Sequence, residues 1–139
     1  MKTGKGILFI FLLLLSSTPG LHAQVTNSKT RVKVYYFHPT ERCPIDQTIE
    51  DNTKQLMKSD FAGEIKSGSL DFRVINTDDK ANASLASGFE INVQALYLVK
   101  MEKGKEIKND LTEFAFSTAQ ANPSKFRYKL KEEVTKALK

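Results

Sequence analysis

The sequence predicts one α/β domain, a mixed central sheet with helices on both faces. Three observations lead there. Short runs of β-branched and aromatic residues recur along the chain, as in residues 31–37, 70–76 and 95–101. Helical spacing fills the gap between the first two runs, and a crossover of that length makes them parallel neighbours. The third run meets Lys103-Gly104, a two-residue hairpin turn, so its partner strand returns antiparallel. Parallel and antiparallel pairs in one sheet, with helices between, give this layered class.

Residues 31–37 hold Val32, Val34, Tyr35, Tyr36 and Phe37, which read as a buried strand. Pro39 cannot donate to a ladder, so the strand ends near His38. A helix is expected to begin at Cys43 or Pro44, because proline suits the first helical position. Ile45, Ile49 and Leu56, with Asn52 and Thr53 between, fall near one face. Asp46, Glu50, Asp51 and Lys54 are expected to face water. Early acids and the later Lys54 and Lys58 match the helix dipole. A short helix over 61–66 follows, ended by Gly68.

Residues 70–76 alternate, with Leu70, Phe72 and Val74 on one face and Asp71, Arg73 and Ile75 on the other. Thr77-Asp78-Asp79 is a turn and helix start, a better reading than a cation site. Residues 80–87 form a short alanine-rich helix closed by Gly88 at its C-terminal cap. The strand at 95–101 and its hairpin partner at 105–108 follow. Residues 111–117 read as a short helix rather than a strand. Asn122-Pro123 caps the last helix, where Phe126, Leu130, Val134 and Ala137 or Leu138 make an apolar stripe that docks on the core.

The ends and the composition bound the rest. Residues 1–23 have the order of a secretory signal peptide: Lys2 and Lys5, nine apolar residues at 7–15, then Leu21-His22-Ala23 before Gln24. A membrane span needs about 20 apolar residues, so this run is too short to serve as an anchor. The expected product is secreted or periplasmic and free of the membrane after cleavage. Residues 24–30 are a polar leader, and 31–139 are the domain. Without Lys2 and Lys5 the formal charge falls from +5 to +3, with the remaining charges interspersed. No tryptophan is present and no basic run is interleaved with aromatics, so nucleic-acid binding has no support.

Cys43 is the one cysteine of the chain. It cannot make an internal disulfide, so the core alone holds the fold. In an oxidising compartment a lone thiol is buried, reactive, or half of an intermolecular bond. His38 is the single histidine of residues 24–139, and with Cys43 it supplies too few ligands for a metal. No cofactor is expected. The triplet Asn82-Ala83-Ser84 matches a glycosylation acceptor, a pattern that often arises by chance.

This order of elements, and the residues within it, resemble the thioredoxin-like superfamily over nearly all of 31–138. Val-Lys-Val-Tyr-Tyr-Phe leads through a short loop into Cys43-Pro44-Ile45-Asp46, where such proteins open a helix with Cys-x-x-Cys. The strand Phe72-Arg-Val-Ile-Asn, the stretch Asn82-Ala-Ser-Leu-Ala-Ser-Gly-Phe-Glu-Ile and the hairpin Leu96-Tyr-Leu-Val-Lys-Met-Glu-Lys-Gly-Lys-Glu-Ile are similar as well. Within the superfamily, VYYFHPTERCP, TIEDNTKQL and the long terminal helix look like the small family known as nitrophenyl compound nitroreductase subunit.

Two departures from the superfamily matter. Asp46 stands where the second cysteine would be. Val93-Gln94-Ala95 stands where the resemblance implies an X-Pro before the third strand, facing the thiols and docking substrate. Both losses argue against dithiol catalysis.

At a helix start, unpaired N–H groups and the dipole favour a Cys43 thiolate, and Arg42 and a charged His38 would add to this. Asp46 acts the other way, as a like charge. Cys43 could then attack a disulfide, but Asp46 cannot resolve the adduct. The bland alternative is that Cys43 is a remnant and Asp46 a helix-capping residue at the third position. Three roles stay open. They are an accessory or binding module whose surface at Cys43 and Val93-Gln94-Ala95 recognises a protein partner, a monothiol oxidoreductase, and a homodimer disulfide-linked through Cys43.

Overall fold

The structure is a computed structural model that describes residues 31–139; the expected signal peptide (1–23) and leader (24–30) lie outside the described residues. The chain runs β1 (Val32–His38), α1 (Pro44–Asp60), α2 (Ala62–Ser67) and β2 (Leu70–Asn76). A turn of 3₁₀ helix (Lys80–Asn82), α3 (Ala83–Gly88), β3 (Ala95–Glu102), β4 (Lys105–Asp110), α4 (Thr112–Thr118) and α5 (Pro123–Leu138) complete it. The sheet order is β2-β1-β3-β4. β1 and β2 are parallel, with Val34 opposite Phe72, and β3 is antiparallel to both β1 and β4. This mixed α/β arrangement is thioredoxin-like.

Central strand β1 is buried on both faces, which is why its sequence is nearly continuous in apolar residues rather than alternating. Val32, Val34 and Tyr36 point into the larger core, against Ile49, Leu56 and Met57 of α1, Ala115 of α4 and Phe126, Leu130 and Val134 of α5. Tyr35 and Phe37 point to the other side, where Phe89, Leu85 and Ile91 cover them. Each fully buried side chain of this size is worth about 1.5–3 kcal/mol of transfer free energy. That burial is what opposes the chain entropy, since no disulfide is present among the described residues.

Three details differ from the sequence reading. The stretch expected as one helix over 80–87 divides into the 3₁₀ turn and α3. Gly88 ends α3 without positive φ; the left-handed position falls on Glu90, at φ 56°. Asp46 and Glu50, expected in water, are buried. The buried stripe of α1 is Asp46, Ile49, Glu50, Thr53, Leu56 and Met57. It keeps Ile49, Thr53 and Leu56 of the expected face and widens to Asp46 and Glu50, because polar partners wait beneath the first two turns.

Candidate functional site

The site lies where β1 hands over to α1. After His38 the chain turns at Pro39. The Thr40 N–H donates to Asp78 Oδ2 at 2.7 Å, and Thr77 N–H donates to the His38 carbonyl at 2.8 Å. These bonds pin the loop to the end of β2. Cys43 is then the N-cap of α1 in extended conformation, with Pro44 at the first helical position. Proline lacks an N–H at the position where the helix offers it no acceptor, so the start is well defined.

Asp46, at the third helical position, is 2% exposed. Its Oδ2 accepts from the Cys43 N–H at 3.1 Å and from the Cys43 thiol at 3.1 Å. Its Oδ1 accepts from the Tyr36 hydroxyl at 3.3 Å, and the same hydroxyl reaches the Asp46 backbone carbonyl at 3.1 Å. Burial, and then the Asp46 charge, hold the Tyr36 phenol well above its usual range, with Arg42 opposing. The phenol is therefore a donor at any physiological pH. Asp46 thus caps the helix, ties it to the central strand and receives the proton-bearing sulfur of exposed Cys43. The thiol-to-carboxylate bond exists only while the sulfur keeps its proton.

Beside this set lies a second polar group. Glu50, also buried, accepts from Arg42 on one carboxylate oxygen and from Lys54 on the other. Burial works to raise the Glu50 carboxyl; the Lys54 and Arg42 hydrogen bonds outweigh it and leave it below its usual range. Arg42 is thereby engaged with Glu50, and its Nε is buried without a partner. His38 Nδ1 sits 2.9 Å from the Pro39 carbonyl oxygen, and its ring stacks on Tyr36 at 6.1 Å. Among the described residues, no hydrogen bond joins His38 or Arg42 to Cys43.

The Val93-Gln94-Ala95 segment enters β3 at the same end of the sheet, because Ala95 pairs with Phe37, the residue before His38. Val93 is 56% exposed, and Gln94 Oε1 is buried without a partner. No cis peptide bond occurs among the described residues.

Other sequence candidates fall elsewhere. Asn82 of the glycosylation triplet donates from Nδ2 to the Asn76 carbonyl at 2.9 Å, which keeps its amide engaged. Asp79 caps the 3₁₀ turn by accepting from Ala81 N–H. Among the described residues no three His, Cys, Asp or Glu side chains cluster so as to hold a metal ion.

The sequence reading missed Tyr36 and Glu50 as parts of this site. A tyrosine inside an apolar strand reads as core, and only its hydroxyl, beneath the helix start, betrays the role. For Glu50 the signal was Lys54, four residues on, the spacing of an ion pair along a helix.

Fold and site together define a thioredoxin-like domain with a Cys-x-x-Asp helix start. No protein-family model matches the chain, and no curated protein matches it. A solved structure described as that of a malarial protein is similar at 18% identity, covering 63% of this chain and 94% of that one, with a TM-score of 0.40. The β2-β1-β3-β4 order, with β1 and β2 parallel and β3 and β4 antiparallel, is what makes the fold thioredoxin-like.

Proposed function

We propose that this chain is an exported thioredoxin-like accessory or binding protein whose redox site is degenerate. One observation carries the reading: the Asp46 carboxylate, buried and hydrogen-bonded by Cys43 N–H, Cys43 thiol and Tyr36 hydroxyl, occupies the place beneath Cys43 that a resolving thiol needs. A carboxylate cannot attack a mixed disulfide to release a reduced product. With dithiol exchange removed, what remains is a stable surface formed by Cys43, the loop before it and Val93-Gln94-Ala95, suited to a protein partner. Export is supported by the order of residues 1–23, and the resemblance to the nitrophenyl compound nitroreductase subunit family agrees with a subunit or accessory role.

A second reading is favoured by the exposure of Cys43 at a helix N-terminus. In it, the Cys43 thiolate attacks a substrate disulfide, forms a mixed disulfide and expels the other sulfur as a thiolate. One small external thiol attacks the Cys43 sulfur of the adduct and releases the second substrate thiol, and a second small thiol then frees Cys43 and leaves as the small-thiol disulfide. The test is reduction of a protein disulfide by the chain, with and without glutathione. The accessory reading expects no catalytic turnover in either condition. Turnover with glutathione, the electron donor, above the rate of glutathione alone replaces it with the monothiol reading.

A further inference from the structure

The outer edge of the sheet carries an inference independent of Cys43. β4 is an edge strand, and all six of its residues, Lys105–Asp110, are exposed. Lys103 and Gly104, at φ 51° and 78°, form the two-residue turn that joins it to β3. Positive φ at both positions is the mark of a type I′ hairpin. Such a turn closes Glu102 and Lys105 as a hydrogen-bonded pair, so the backbone groups of Lys105, Ile107 and Asn109 face β3. Those of Glu106, Lys108 and Asp110 face outward. The Leu111 N–H, donating to the Leu96 carbonyl at 2.8 Å, keeps the same alternation.

Natural edges are usually shielded by charge; here Glu106 and Lys108 lie side by side on one face of the strand, with their outward backbone groups uncovered. The Glu106 carboxylate pairs with Lys33 at 2.6 Å, and Lys108 Nζ donates to the Gly88 carbonyl and lies 4.1 Å from the Phe89 ring centroid. The edge keeps its outward backbone groups, with Ile107, 49% exposed, flanked by exposed Lys105, Asn109 and Asp110.

The geometry points to a second copy of this chain as the occupant, paired antiparallel through β4 with the two-fold axis at Ile107. In that register the outward backbone groups of Glu106 meet those of Lys108 in the second copy, and the reciprocal pair repeats it. Opposite charges face each other, and no like charges do. Ile107 meets its own copy at the non-hydrogen-bonded position, where side chains come closest. The strand is self-complementary in hydrogen bonding, charge and apolar contact, and its charges balance, two lysines against Glu106 and Asp110. The product is one continuous eight-stranded sheet across two copies of the four-stranded one.

The test is sedimentation equilibrium of the full chain over a rising concentration series, with reductant present to separate any dimer linked through Cys43. A concentration-dependent monomer–dimer equilibrium is expected. Lys108→Pro removes an outward N–H while leaving the β3 ladder intact, and Glu106→Lys sets like charges opposite. Each is expected to weaken the dimer by roughly tenfold or more, since two symmetric positions change at once. The double variant, Glu106→Lys with Lys108→Glu, reverses every cross-pair and is expected to restore it. If Lys108→Pro loses the parent's circular dichroism, the charge swap decides. A chain that stays monomeric throughout, or a dimer indifferent to the charge swap, overturns the proposal.

Discussion

Tyr36→Phe is the sharpest probe of the helix start. The hydroxyl is fully buried and serves two acceptors of one residue, Asp46 Oδ1 at 3.3 Å and its backbone carbonyl at 3.1 Å. A hydrogen bond to a charged group contributes about 1.5–3 kcal/mol, and both contacts here are long, so a loss of about 1–2 kcal/mol is expected. Denaturant slopes for small domains run about 1–3 kcal/mol/M in urea, which makes this a midpoint shift of about 1 M. The assay is urea unfolding at neutral pH, followed by far-ultraviolet circular dichroism. Asp46→Ala and the double variant complete a cycle that separates the carboxylate contact from the carbonyl contact, and a coupling of at least about 0.5 kcal/mol is expected for such neighbours. An unshifted Tyr36→Phe midpoint, or zero coupling, would mean that the hydroxyl does not hold Asp46, and the description of the site would fail.

Three further outcomes follow from packing and charge. Phe126→Ala empties a fully buried place against Phe114 and is expected to cost about 3–5 kcal/mol; Tyr128→Ala, two residues on and 64% exposed, should stay within about 0.5 kcal/mol. Equal melting of both variants would show that α5 is not docked. Glu50 is held below its usual range in the folded state, so its contribution is present above the ordinary carboxylate value of about 4.3 and is lost as pH falls through the lower folded value. Stability against pH should therefore drop on acidification, and Glu50→Gln should flatten that drop; an unchanged slope refutes the pairing. Reductant should leave the melting temperature of the monomer unchanged, because Cys43 is the only cysteine, and a large decrease would contradict a fold held by its core alone.

The elements were legible where periodicity and punctuation agreed. The strand at 70–76, the Lys103-Gly104 turn, the Asn122-Pro123 cap and the Phe126, Leu130, Val134 stripe all stand as read, because each is a local signal that tertiary packing reinforces. The expected face of α1 holds at Ile49, Thr53 and Leu56, with Ile45 half-buried against the core, but the buried face is wider and takes in Asp46, Glu50 and Met57. Counting charged residues as outward is sound when water is their best partner. At this helix start the better partners are protein groups brought from elsewhere, Tyr36 from the central strand and Arg42 from the preceding loop, and no local pattern encodes them. Gly88 ends α3 as the alanine-rich run suggests, but the left-handed cap position falls two residues later, on Glu90, where the Glu90 and Ile91 N–H groups close on the Ser87 and Ala86 carbonyls.

The central claim is that Asp46 occupies the seat of a resolving thiol, and Asp46→Cys tests it most directly. The carboxylate already approaches the Cys43 sulfur to 3.1 Å, and the sulfur of a cysteine takes the γ position of aspartate. Residues three apart at a helix start are neighbours, well inside the ~4.4–6.8 Å Cα separation that a disulfide spans. Mild oxidation of the variant, read by mass spectrometry, should show the loss of two hydrogens within a single chain. A disulfide-reduction assay should show activity that the parent lacks, kept small by the Val93-Gln94-Ala95 segment. If the two sulfurs cannot be bridged, or if the parent turns over as fast as the variant, Asp46 is not what silences this site.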